Sequence, residues 1–192
     1  MPDIIQAFDF SVLEFIQQNL RCSILDAVFT FITHLGSGGI LWIAAAVCML
    51  FTKKYRRCGI AILVCMVLGV LIGNLFLKNI VARARPCWLK PISDMTVAVP
   101  KDFSFPSGHT LSSFIVAIVI LRHSARLGIP ALAVAALIAF SRLYVYVHFP
   151  TDLLGAIILA VPLAIFGDML TQRAVSAIIK RREEQKKLRT DE

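Results

Sequence analysis

Three short stretches place residues capable of chemistry at the edges of apolar sequence: KNIVARARP at 78–86, PSGH at 106–109 and SRLYVYVHFPTD at 141–152. They supply the cations Lys78, Arg85 and Arg142, the histidines His109 and His148, and the carboxylate of Asp152. Pro106-Ser107-Gly108 reads as a turn leading into a helix, with Ser107 as its N-cap. Free backbone N–H groups there, beside a glycine with no side chain in the way, make an anion seat, with His109 at its rim. Fixed cations, a helix N-terminus, two imidazoles and one carboxylate are a set suited to phosphoryl transfer. The cations and amides hold a phosphate and stabilise charge on its equatorial oxygens. One imidazole can attack phosphorus, the other can protonate the departing oxygen, and the carboxylate can orient the attacking ring and stabilise its cation. A lone histidine or arginine at such an edge is more often an anchor; it is the co-occurrence that points to a site.

The elements that must position these groups follow from local pattern. Lys78 and Arg85 are seven residues apart, so on a continuing helix they share a face, about 20° off alignment. Arg83 would then point elsewhere, as a helper at most, and Pro86 would end the helix. Pro150 and Thr151 read as the opening of the last helix, with Asp152 in its first turn. His34 and His123 have interfacial roles as their simplest explanation, and Trp42, Trp88, Tyr144 and Tyr146 suit an aromatic belt. No His, Cys or carboxylate spacing resembles a metal site, so neither metal nor cofactor is expected.

Composition says where such a site would lie. Of 192 residues, 58% are hydrophobic and only 17% charged, with a mean hydropathy of +0.77. A soluble domain carries nearer a quarter charged residues. Uncharged runs at 38–52, 58–77, 103–121, 127–141 and 153–167 approach the roughly 20 residues a crossing helix needs. The expected fold is therefore an all-α polytopic bundle of five spans. A sixth, over 11–35, would carry Glu14, Arg21 and Asp26 to bilayer depth. Before the spans, Ile4, Ile5, Phe8, Val12, Phe15 and Ile16 recur at helical spacing, as in a helix lying in the membrane interface. No cleavable signal peptide is apparent, since Asp3, Asp9 and Glu14 replace a basic start. Residues 1–35 form this interfacial segment, 36–173 the transmembrane core and 174–192 a basic tail.

The net charge of +8 is distributed in a way that argues against nucleic acid. It concentrates in KKYRR at 53–57, RHSAR at 122–126 and KRREEQKKLR at 180–189, at alternate span ends, which the positive-inside rule places in the cytoplasm. The tail is suited to anionic lipid. The acidic N-terminal stretch and both connections bearing the candidate residues are then outside. Lys78, Arg83, Arg85 and Arg142 on that face run against the rule, unless something negative is held there. The five cysteines show no paired spacing; Cys22 and Cys87 share the outer face, with only the compartment to favour a disulfide. Spacing carries no information on oligomeric state.

At these residues the chain resembles the type 2 phosphatidic acid phosphatase superfamily, its bacterial membrane branch of phosphatidylglycerophosphate and undecaprenyl pyrophosphate phosphatases in particular. Lys78–Pro86 fits K-x6-R-P, Pro106–His109 is P-S-G-H, and Ser141–Asp152 fits S-R-x5-H-x3-D. ITHLGSGG before the first span adds to the likeness. The resemblance implies that His148 is a nucleophile forming a phosphohistidine, Asp152 its partner and His109 the acid. It further implies that Lys78, Arg85, Ser107, Gly108 and Arg142 hold the phosphate without metal. A membrane lipid phosphatase at the outer face of the bacterial cytoplasmic membrane is expected, with a lipid phosphate as its partner. A phosphatase or phosphotransferase for soluble esters and a non-catalytic lipid carrier are the alternatives; a carrier needs only the cations.

Overall fold

A helix satisfies its backbone N–H and C=O groups within its own segment, which is why apolar runs in lipid fold as helices. The computed structural model describes residues 2–190, and every regular element among them is helical. In chain order these are α1 (Pro2–Asn19), α2 (Ser23–Leu35), a tight turn Ser37–Gly39, α3 (Ile40–Phe51) and α4 (Arg56–Gly69). A π-helical stretch, Val70–Leu77, continues α4 into α5 (Lys78–Val81), followed by α6 (Pro86–Leu89), α7 (Gly108–His123), α8 (Ala125–Tyr144) and α9 (Pro150–Thr190).

Among the described residues, three stretches are long and apolar enough to cross a membrane: Arg56–Leu89, Ala125–Tyr144 and Pro150–Arg189. Ser23–Leu35 and Ser37–Phe51 pass the same test as a pair bent by 48°. Gly38 and Gly39 at that bend have φ of 61° and 69°, a region that glycine enters without strain. α7 is apolar but shorter. The chain is a multi-pass, all-helical membrane protein. Of the expected runs, 58–77, 127–141 and 153–167 lie inside the three long stretches. The run at 38–52 forms the second half of the bent pair, and that at 103–121 becomes helical only from Gly108.

α7 is the centre of the bundle, packed on α4, α8 and α9. Lipid tails are as apolar as leucine, so helices in a membrane gain most where small residues let their backbones approach. α9 offers such a stripe in Ala156, Ala160 and Ala164, all fully buried. Gly59 of α4 does the same against α3, where an added Cβ would fall 2.7 Å from the Ala46 carbonyl. Ile62, Leu111, Ile115, Val116 and Val119 fill the space between. Gln172 lies against the Arg57 carbonyl at 3.5 Å and His123 against Asp168 at 3.0 Å, which gathers the basic turns after α3 and α7 at one end of the bundle.

The structure revises the expectations at several points. Residues 11–35, set aside above as a sixth span, do not form one helix: the chain leaves helical geometry after Asn19 and re-enters it at Ser23. α1 has two faces. Ile4, Ile5, Phe8 and Phe15 are exposed, whereas Phe10, Leu13 and Ile16 are buried with Asp9 among them. The helix carrying Lys78 does not continue to Arg85. It stops at Val81, Ala82 turns left-handed with φ of 46°, and Pro86 opens α6 at the position where a missing N–H does no harm. Tyr144, Tyr146 and Trp42 are buried, leaving only Trp88 of the four aromatics on the surface. Tyr144 donates to Asp26 at 2.7 Å and Trp42 to Ser113 at 2.9 Å; their polar tips are satisfied by protein, which outweighs an interfacial seat. Cys22 and Cys87 are free thiols, the first exposed and the second buried.

Candidate active site

Five helix ends converge away from the basic turns: the α2–α3 bend, the end of α5, the start of α7, the end of α8 and the start of α9. Between the first four lies a cavity of about 530 Å³, lined among others by Lys78, Arg85, Gly108, His109, Arg142 and His148. Six of the eight residues singled out by the sequence thus face one space. Ser107 and Asp152 stand behind it. The Ser107 hydroxyl caps α7, accepting from Thr110 N at 3.5 Å and Thr110 Oγ1 at 3.0 Å, and its backbone N–H donates to the Asp152 carbonyl at 3.4 Å.

His148 sits in the buried turn between α8 and α9. Arg85 Nη1 is 3.1 Å from its Nε2 and also donates to the Val147 carbonyl at 2.7 Å. A guanidinium only donates, so Nε2 must accept and the ring proton belongs on Nδ1. Nδ1 lies 3.5 Å from Asp152 Oδ2 and 3.4 Å from Ser104 Oγ. Asp152 Oδ2 in turn accepts from Ser104 Oγ and, at 2.9 Å, from Phe149 N–H. Burial, reinforced by Arg85 and Arg142, holds the His148 imidazolium down to about 3 against the pull of Asp152. The ring is therefore neutral at pH 7, with its lone pair toward the cationic cavity.

The cavity carries its own anion. Asp102, more than half exposed, pairs with Lys78 Nζ at 2.5 Å and Arg85 Nη2 at 2.8 Å. Partial burial pushes its carboxyl up, but the Lys78 hydrogen bond and the Arg85 charge outweigh it and hold it at about 2. Arg142 donates to Thr33 Oγ1 of α2, while its Nε is buried without a protein partner. His109 Nε2 is 3.4 Å from Ser37 Oγ. Gly36 makes room for that ring, since a Cβ there would fall 2.9 Å from His109 Cδ2.

Residues 58–174 match the PAP2 superfamily. The chain belongs to that superfamily. It is 28% identical to an undecaprenyl-diphosphatase of Sulfolobus acidocaldarius over 77% of this chain and 71% of that one. It is 32% identical to phosphatidylglycerophosphatase B of Bacillus subtilis, over 68% of each chain. The crystal structure of a transmembrane PAP2-type phosphatidylglycerolphosphate phosphatase from B. subtilis superposes with a TM-score of 0.71 at 26% identity, covering 88% of this chain and 87% of that one.

This PAP2 chain also brings in residues beyond the eight singled out by the sequence. Ser104 bridges His148 and Asp152; it lies three residues before the Ser107 cap, and nothing in its spacing marks it. Asp102 is one of two carboxylates, with Asp94, in a connection that also carries Arg83, Arg85, Lys90 and Lys101, so its charge alone does not mark it. Arg83, held back as a helper, reaches Asp152 Oδ1 at 2.6 Å. Asn74 lines the cavity from the π-helical stretch, its Oδ1 buried without a partner beside Gly108. Among the described residues no three His, Cys, Asp or Glu side chains cluster as metal ligands.

Proposed function

We propose that this PAP2 protein is a membrane phosphatase that removes the terminal phosphate of a lipid phosphate or diphosphate through a phosphohistidine on His148. The arrangement that carries this reading is the neutral His148, its Nε2 toward a cavity bearing Lys78, Arg85, Arg142 and His109. Lys78, Arg85, Arg142 and the backbone N–H groups at Gly108 hold the phosphoryl oxygens, supplying positive charge without metal or cofactor. Nε2 attacks phosphorus and the P–O bond to the lipid breaks. Its electron pair goes to the leaving oxygen, which takes a proton from His109. A phosphate dianion entering among these groups favours the protonated form of His109. Water then attacks phosphorus, His109 takes a proton from it, and the P–N pair returns to Nε2. Asp152 stabilises the cationic ring at both steps.

The substrate class draws support from the relatives named above, an undecaprenyl-diphosphatase and a phosphatidylglycerophosphatase. Both names are of enzymes acting on lipid phosphates; in this reading the apolar tail of such a substrate stays among the helices with its headgroup in the cavity. The site lies at the end of the bundle opposite the basic turns, which supports an extracytoplasmic face.

His148→Ala should abolish phosphate release from lipid substrates, and quenching the unaltered enzyme in turnover should trap an acid-labile phosphate on His148. Near-normal turnover by His148→Ala would remove the nucleophile assignment. Activity should persist in EDTA; a loss restored by added metal would remove the cation-only account.

A further inference from the structure

Asp9 takes no part in the chemistry just described, yet it is fully buried on α1. Its Oδ2 lies 2.5 Å from Arg83 Nη2 and accepts from Thr151 Oγ1 at 2.5 Å, while Oδ1 accepts from Thr151 N–H at 3.1 Å. Arg83 Nη1 donates to Thr151 Oγ1 at 2.7 Å and to Asp152 Oδ1 at 2.6 Å, with the guanidinium 4.3 Å from the centre of the Phe149 ring. A continuous chain of charged side chains, Asp9–Arg83–Asp152, therefore leads to the His148 ring.

Two considerations give this chain a purpose. Phe10, Leu13 and Ile16 already dock α1, and a well-packed apolar residue in place of a buried ion is often neutral or stabilising; docking alone does not call for a carboxylate. Charge does. Asp152 and Arg83 together sum to zero, and His148 also faces Arg85 and Arg142, so a cation on its ring would find little net negative charge. Adding Asp9 restores a net charge of about −1 behind the ring. We propose that Asp9 is a positioning residue, which neutralises Arg83 so that Asp152 keeps its charge for the cationic, phosphorylated His148. The N-terminal helix is then part of the catalytic apparatus. This rests on the assignment of His148 as nucleophile.

The test uses the full-length protein in detergent with a lipid monophosphate, and compares Asp9→Asn, Asp9→Glu and the double variant Asp9→Asn/Arg83→Gln. Asp9→Asn should lose about 10–100-fold in kcat, the range seen when an outer partner of a metal-bound histidine is removed. KM should change little, because Lys78, Arg85 and Arg142 are untouched. Asp9→Glu, which keeps the charge, should retain more activity than Asp9→Asn. The double variant again leaves Asp152 as the net negative charge, so it should be faster than Asp9→Asn, whereas lost packing would make it slower. Unchanged kcat in Asp9→Asn, or a double variant no faster than it, overturns the proposal. If Asp9→Asn does not fold, the double variant is judged alone, and a folded but inactive one overturns it equally. His148→Ala run in parallel separates the two ideas. Activity surviving there removes the nucleophile on which this role depends. Activity lost there, with Asp9→Asn at full rate, removes the role of Asp9 only.

Discussion

At the scale of single residues, the two histidines differ in what their loss should do. If His109 gives a proton to the leaving oxygen, His109→Ala should lose most of its rate on a lipid monoester, about 10²–10⁴-fold. It should lose far less on an aryl phosphate, whose phenolate leaves unaided. Paired kcat/KM values decide the matter, and equal losses on both substrates would make His109 a binding or loop-shaping residue. His148 also carries a stability signature. Its imidazole titrates at 6.5 when unperturbed and at about 3 in the folded protein. Between those values the unfolded chain binds the extra proton, so the neutral ring contributes stability above about pH 6.5 that is lost as pH falls toward 3. Unfolding midpoints in detergent should drop from pH 7 to pH 4.5, and His148→Gln should flatten that dependence. No change of slope in the variant would place the acid sensitivity elsewhere.

At the scale of elements, the fully buried alanine stripe of α9 is a contact that limits substitution. Ala160→Leu adds bulk where α9 meets its neighbours, and overpacking of this kind typically costs about 1–3 kcal/mol. A lowered thermal midpoint is expected; an unchanged one would mean that α9 has room to shift. The helices themselves were legible because their signal is long: an uncharged run such as 58–77 has no alternative in lipid. The Ser107 cap was legible because its turn is local. What was not legible depended on a single dihedral or on a partner distant in sequence. Lys78 and Arg85 have a helical spacing, yet Ala82 in left-handed geometry breaks the helix and both still reach Asp102. Asp9 sits in phase with Leu13 and Ile16, at helical offsets of four and seven. That was a readable sign of a buried carboxylate needing a cation, but the more exposed Ile4, Ile5, Phe8 and Phe15 drew the apolar face to themselves. The aromatic belt failed for a related reason: composition cannot say whether an indole or phenol tip finds protein or water.

At the scale of the whole molecule, orientation is open to direct measurement. In a background lacking the natural cysteines, one introduced at Ser93 should react with an impermeant thiol reagent added outside, and one at Ser124 only after permeabilisation. The reverse pattern would turn the site toward the cytoplasm. The same architecture ties the site to the lipid around it. α9 carries Asp152 in its first turn and, sixteen residues on, Asp168, which is buried and held by Arg122 at 2.8 Å and His123 at 3.0 Å. At 1.5 Å per residue these two riveted carboxylates stand about 24 Å apart, a little less than the roughly 30 Å hydrocarbon thickness of a bilayer. The helix thus works as a gauge clamped at both ends. A membrane much thicker or thinner has to be met by tilting the bundle or deforming the lipid. Any tilt of α9 against its neighbours moves Asp152 relative to His148, so bilayer thickness becomes a variable of the reaction itself.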